Sequence, residues 1–416
     1  MDRFKNSARN AALFLVSALL AYGLAEALFS YLYVHGHINP PDRDGWYFEE
    51  LGHTVHFDPV IGYRLAAVPS RHLRISNGET EYSGVFVGNN AGFPDRDDFQ
   101  PQRSDSRTLR VAIVGDSFSS GQFLATNWPE QVEAIARQHP SNPPLQLLNF
   151  SVYSGGLANW RNIVTGIIDA QDYQLDALVF PVFANDLFRP FMLFEARDTR
   201  KLLIGQAGWD PARWPQTREQ AGSYLQASEG YILSRDEWQQ FQLGWHPDLP
   251  RRWQPYMSQM LQFLAGYASQ QARAWLANPR EQWASWQASR QLQAGTAPPP
   301  VPDASLGQGR FTPQHLRLIG DILAVARQRQ LPVLVIRIPD RHEAEQGWPI
   351  AGNVQEFAGL AGAPLVDGVE AFAGLDADAR RELYFPVDGH WNQRGSDRFA
   401  AFIYPRLLAF LQPDGH

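Results

Sequence analysis

Two hydrophobic periodicities alternate along most of this chain. From Leu109 onward, short continuous apolar runs occur at Leu109–Val114, Leu145–Phe150, Ala177–Phe183 and Leu331–Ile338. Such runs predict strands buried on both faces, as in a parallel sheet. Between them, segments with apolar positions three and four residues apart predict helices over 127–139, 160–170, 313–330 and 396–411. A shorter helix over 354–360 and a short strand over 364–366 complete the pattern. Apolar strands alternating with amphipathic helices predict an α/β class, here a three-layer α/β/α domain around a mainly parallel sheet.

The pattern lapses twice. Residues 36–106 are rich in Gly, Pro, Asp and Asn with short strand-like pieces such as Gly84-Val85-Phe86-Val87, and predict an irregular β-containing lead-in. Residues 191–309 hold eight of the 13 tryptophans together with many Gln and Arg and the Pro-rich stretch Pro298–Pro302. Parts such as 253–286 read as helical, so a Trp-rich helical insertion is expected. Its rings form either a satellite core or a cleft lining suited to stacking on sugars. The expected organisation is therefore 1–35, 36–106, 107–190, 191–309 and 310–416, with 107–190 and 310–416 the two parts of one domain.

The N-terminus breaks the pattern differently. Residues 11–34 are almost wholly apolar, and at about 1.5 Å per residue they are long enough to cross roughly 30 Å of hydrocarbon. Arg3, Lys5 and Arg9 precede the stretch against a single Asp2, so the positive-inside rule places the N-terminus in the cytoplasm and the rest outside. Glu26 and the small residues of Gly23-Leu24-Ala25 also fit a cleaved signal peptide. The apolar run resumes at Ala27 and continues to Val34, which favours an uncleaved anchor in the cytoplasmic membrane with the main domain outside. Both readings export that domain.

Composition narrows the chemistry. The chain carries a net charge of −7 with no long basic run, which argues against nucleic-acid binding. It contains no cysteine, which excludes thiolate nucleophiles, disulfides and Cys-ligated metals.

Four motifs then stand at expected strand ends. Gly115-Asp116-Ser117 follows the first strand, where ligand sites of open α/β sheets lie, although Asp-Ser is also an ordinary helix cap. Asn149-Phe150-Ser151-Val152-Tyr153-Ser154-Gly155-Gly156 follows the second, its glycines allowing a backbone N–H to approach a reacting oxygen. Asn185-Asp186 follows the third; an Asn amide there suits an oxyanion, and an Asx turn is the plain alternative. Asp388-Gly389-His390-Trp391-Asn392 precedes the last helix. There His390 suits a general base oriented by Asp388, or the pair caps the helix or binds a metal.

Together these motifs resemble the SGNH (GDSL-like) hydrolase family over 107–190 and 310–412. The lead-in, with His56–Arg64 followed by Asn89-Asn90-Ala91-Gly92-Phe93, is similar to membrane-anchored bacterial members. Asp388-Gly389-His390-Trp391 resembles the Asp-x-His-Trp signature of alginate-type O-acetyltransferases. The resemblance implies Ser117 as nucleophile, His390 as base and Asp388 as its orienter. It implies an oxyanion hole of the Ser117 N–H, Asn185 and a block-two N–H assigned to Gly155, with Ser154 standing where the block-two Gly is often found. Only Gly389 separates Asp388 from His390, where many hydrolases have two residues. The Gly usual before Asn-Asp is replaced by Phe183-Ala184. The implied activity is a cofactor-free serine esterase or O-acyltransferase on acylated carbohydrate, anchored in a lipid bilayer by residues 11–34. The alternative is a non-catalytic membrane-tethered glycan-binding or assembly protein.

Overall fold

The structure is a computed structural model that describes residues 2–34, 45–50, 55–76, 79–121, 123–196, 200–242, 310–347 and 349–412. The first helix, α1 (Asp2–Val34), falls in a different compact unit from residues 44–239 and 303–416. Its stretch Leu13–Leu32 has a mean hydropathy of 1.8, long and apolar enough to cross a membrane by length and composition.

The main unit contains the expected α/β core. Five strands, β6 (Leu109–Ile113), β7 (Leu145–Asn149), β8 (Ala177–Val182), β12 (Val333–Arg337) and β13 (Leu365–Asp367), form one sheet in the order β13-β12-β8-β6-β7. All four pairings are parallel. Alternate strand residues face two separate cores. Ala112, Val114, Leu178, Phe180, Val182, Val333 and Val335 pack into one. Val111, Ile113, Ala177, Val179, Leu334 and Ile336 pack into the other. The first core is covered by α4 (Leu157–Ile163, continued by a π turn over Val164–Asp169) and by helices Pro313–Gln328 and Gly352–Ala361. The second is covered by α3 (Trp128–Arg137) and the C-terminal helix Gln393–Leu411. This is the three-layer arrangement the periodicities predict.

A second, six-stranded sheet was not foreseen. It runs β5-β4-β1-β11-β10-β9 and joins lead-in strands β1 (Gly45–Glu49), β4 (Ser70–Ser76) and β5 (Glu79–Phe86) to β9 (Met192–Glu195), β10 (Lys201–Gln206) and β11 (Leu225–Leu233). The start of the segment expected to be a helical insertion is therefore β-structure, and β11 pairs in parallel with β1. The physical reason is visible in β9, where four consecutive residues are buried, and in β10, which pairs antiparallel with both β9 and β11. The β1–β11 pairing joins positions as far apart as Trp46 and Gly230, a separation to which local periodicity is blind. The expected helical stretch 253–286 lies outside the described residues. The lead-in motif His56–Arg64 forms a hairpin of β2 (Val55–Asp58) and β3 (Gly62–Leu65). Asp58 accepts from the Val60 and Ile61 N–H groups and pairs with Arg64 at 2.6 Å.

Strand β7 is an edge of the parallel sheet, and an uncovered edge is a liability. Two carboxyls cap it: Glu133 of α3 accepts from the Leu147 N–H at 2.7 Å, and Asp95 accepts from the Asn149 N–H at 3.0 Å. Burial pushes Glu133 up to about 8 and Asp95 up to about 7. Between the ordinary carboxylate range and those values the folded state holds protons that the unfolded chain has released. The contribution of these two carboxyls to stability therefore falls as pH rises from about 4 to 8. Glu133→Gln keeps the acceptor and removes the titration. Thermal melts should show it more stable than wild type at pH 8 and close to wild type at pH 5; equal melting temperatures at both pH values would contradict this.

Candidate active site

The site lies where the order of the parallel sheet reverses direction. The chain leaves β6 for β7 on one side and then returns to β8 on the other, so loops following β6 and β8 diverge at the carboxyl edge. Such a switch point is where ligands bind in open α/β sheets.

Each side chain is placed by local sequence. Gly115 ends β6 in a space no side chain fits, since a Cβ there would lie 2.7 Å from Pro181 Cγ and 3.0 Å from Ser119 Oγ. The chain then turns into α2 (Ser117–Ser120), a single helical turn closed by Gly121 at φ 57°. Asp116 caps this turn, accepting from the Phe118 N–H at 3.0 Å. The cap reading of Asp-Ser thus holds for Asp116, while Ser117 is free for other work. In the last loop, Gly389 at φ 81° folds Asp388 back onto His390. A one-residue spacer suffices here because the left-handed conformation reverses the chain within three residues. Asn392, rather than Asp388 or His390, caps the C-terminal helix.

The result is a short chain of side-chain contacts. Ser117 Oγ stands 2.7 Å from His390 Nε2, and His390 Nδ1 contacts Asp388 Oδ1. Burial raises the Asp388 carboxyl, but the charge and hydrogen bonds of His390, helped by Arg74, outweigh it and hold the pKa below the ordinary value. An ionised Asp388 keeps the proton on Nδ1, so the Nε2 lone pair faces the serine hydroxyl. Phe118 and Phe123 pack on the imidazole at 4.4 and 4.7 Å between ring centres, restricting its rotation. Ser117 is buried, and a cleft of about 270 Å³ beside His390 is lined by Phe118, Phe183, Arg189, Arg341 and His342 as well.

The expected oxyanion donors fare differently. The Ser117 N–H makes no hydrogen bond among the described residues. The Gly155 N–H is engaged, donating to Val152 O at 2.9 Å, and a Cβ at Gly155 would collide with Val152 Cγ2 at 2.2 Å. Ser154 holds the left-handed conformation at φ 55° with its N–H uncommitted among the described residues. Of these two neighbours, the turn spends the Gly155 N–H and leaves the Ser154 N–H available. Asn185 follows β8 with an exposed side chain whose amide makes no hydrogen bond among the described residues.

One participant escaped the sequence reading. Arg189 Nη1 stands 3.0 Å from Asp186 Oδ1, an ion pair without hydrogen-bond alignment, and 3.5 Å from Asp116 Oδ2. It also donates to Gly155 O at 3.3 Å. One guanidinium thus ties the loops that follow β6, β7 and β8. Both carboxyls are fully buried. Burial first, then the neighbouring Asp116 charge, push Asp186 well above the ordinary carboxylate range. The i,i+3 spacing of Asp186 and Arg189 was the available signal.

No protein-family model matches the chain, and no curated protein matches it. Among solved structures, TesA is similar at 11% identity and a TM-score of 0.34, covering 73% of this chain and 99% of its own. A lipase/acylhydrolase from Enterococcus faecalis is similar at 9% identity and a TM-score of 0.33, covering 74% and 100%. AlinE4, an SGNH-hydrolase family esterase, is similar at 12% identity and a TM-score of 0.29, covering 73% and 97%.

Proposed function

We propose that this chain is a serine-dependent acyl-ester enzyme, an esterase or O-acyltransferase, in which Ser117 is the nucleophile, His390 the base and Asp388 its orienter. The observation that carries the reading is the 2.7 Å contact between Ser117 Oγ and His390 Nε2, made by residues 273 positions apart at the carboxyl edge of a parallel sheet. Neither residue caps the C-terminal helix, and a binding module has no use for the pair in this geometry.

The chemistry follows from the atoms. Ser117 Oγ attacks the ester carbonyl while its proton passes to His390 Nε2. The oxyanion is met by the Ser117 and Ser154 N–H groups and the Asn185 amide. The ester C–O bond then breaks, the leaving alcohol takes the proton from His390, and the acyl group remains on Ser117. Water or a second hydroxyl, deprotonated by the same Nε2, attacks the acyl-serine and restores the enzyme. No cofactor enters these steps.

The substrate class rests on location. With α1 as an anchor oriented by Arg3, Lys5 and Arg9, the main unit faces the periplasm, where acylated and in particular acetylated envelope carbohydrates are within its reach. A fluorophosphonate should label wild type and leave Ser117→Ala unlabelled; equal labelling of both would remove the assignment. With a donor carrying a labelled acetyl group, label on the sugar identifies a transferase and label only in free acetate an esterase. Label in neither product would refute the acetyl-ester reading.

A further inference from the structure

Strand β5 belongs to the six-stranded sheet, outside the α/β core, yet two of its consecutive side chains reach the catalytic loop. Tyr82 Oη lies 3.3 Å from Asp388 Oδ2, the oxygen that His390 does not use. Glu81 Oε1 accepts from both the Val387 N–H at 2.6 Å and the Asp388 N–H at 2.8 Å. Behind Tyr82, the Trp46 indole Nε1 of β1 donates to Tyr82 Oη at 2.7 Å.

The direction of this chain is fixed by chemistry. An indole N–H only donates, so Tyr82 Oη must accept from Trp46. The phenol's own proton is then left for the nearest acceptor, Asp388 Oδ2. Tyr82 is 6% exposed and ringed by Phe123 and Phe385 at 5.4 and 4.7 Å. Burial, and then the Asp388 charge, push its pKa well above the ordinary phenol value, so it stays a donor. Each link therefore points the same way: Trp46 to Tyr82, Tyr82 to Asp388, with His390 Nδ1 donating to the other carboxylate oxygen.

We propose that Tyr82 and Glu81 are positioning residues for the catalytic acid: Tyr82 fixes the Asp388 carboxylate plane, and Glu81 fixes the backbone that carries it. The lead-in sheet thereby completes the active site rather than merely flanking it. This rests on the Ser117–His390–Asp388 reading. A carboxylate free to rotate lets the imidazole turn away from the serine, which slows proton transfer and leaves substrate binding untouched.

The test uses the full chain in detergent with an aryl acetate, counting active sites by fluorophosphonate titration. Tyr82→Phe keeps the ring and removes one hydrogen bond to a charged group. It should lower kcat per active site about 10-fold with KM unchanged, the lower end of what such a bond contributes. Glu81→Ala should lower kcat similarly, and Glu81→Gln, whose carbonyl still accepts from both N–H groups, should restore it. Tyr82→Phe within twofold of wild type, a rise in KM alone, or Glu81→Gln as impaired as Glu81→Ala would each overturn the proposal. Ser117→Ala separates the two levels. If it is inactive while Tyr82→Phe is normal, only the positioning claim fails; if it is active, the triad itself fails.

Discussion

Ser117→Ala should lower kcat on an aryl acetate by about 10⁴- to 10⁶-fold, with KM changed little and the melting temperature close to wild type. The magnitude follows from removing the atom that forms the acyl-enzyme; what survives is binding and oxyanion stabilisation. Little stability is at stake, because among the described residues the Ser117 hydroxyl hydrogen-bonds only with His390 Nε2 and, at 3.2 Å, Asp116 Oδ2. His390→Ala should cost a comparable factor, and the double variant scarcely more than either single one, since nucleophile and base act as one unit. Steady-state kinetics with active-site titration checks this. A fall below 100-fold for Ser117→Ala would mean that another group carries the acyl transfer.

The second large effect concerns folding. Arg189→Met leaves the buried Asp116 and Asp186 carboxyls without their cation and unties the loops after β6, β7 and β8. Removing one partner from a buried ionic cluster destabilises by about 3–5 kcal/mol. Denaturant unfolding should show a loss of that order at pH 8. The loss should shrink toward pH 5, because the buried Asp186 carboxyl deprived of its cation takes up a proton as the pH falls. Since Asp186 already favours its protonated form, Asp116→Asn in the Arg189→Met background should recover more stability than Asp186→Asn. A loss below 1 kcal/mol, or one independent of pH, would show that the cluster is neutral without Arg189.

The two cases differ in how far they could be read in advance. Ser117 and His390 sit in short motifs, one after a buried strand and one before the last helix, because buried strands, helix starts and turn-forming glycines leave local marks. Arg189 left only an i,i+3 spacing, and Tyr82 left none, since its partner is 306 residues away. The block-two donor was assigned to Gly155, the residue with free dihedrals. The structure puts the left-handed conformation on Ser154 and spends the Gly155 N–H in a turn. A glycine count could not distinguish those neighbours. The start of the 191–309 segment was expected to be helical, and its pairing with the lead-in strands is a long-range choice.

By itself, the sequence determined the apolar span of α1, the four buried strands, the short fifth strand and their helices, and the short turns that carry Ser117, Asn185 and His390. These depend on periodicity, capping and backbone freedom, all set by residues within one or two turns of each other. Only the tertiary structure decided that Ser117 and His390 meet, that Arg189 stands between two buried carboxyls, and that Tyr82 of β5, backed by Trp46 of β1, reaches Asp388. Contacts between distant segments are chosen by which surfaces bury together, and no local pattern records that choice.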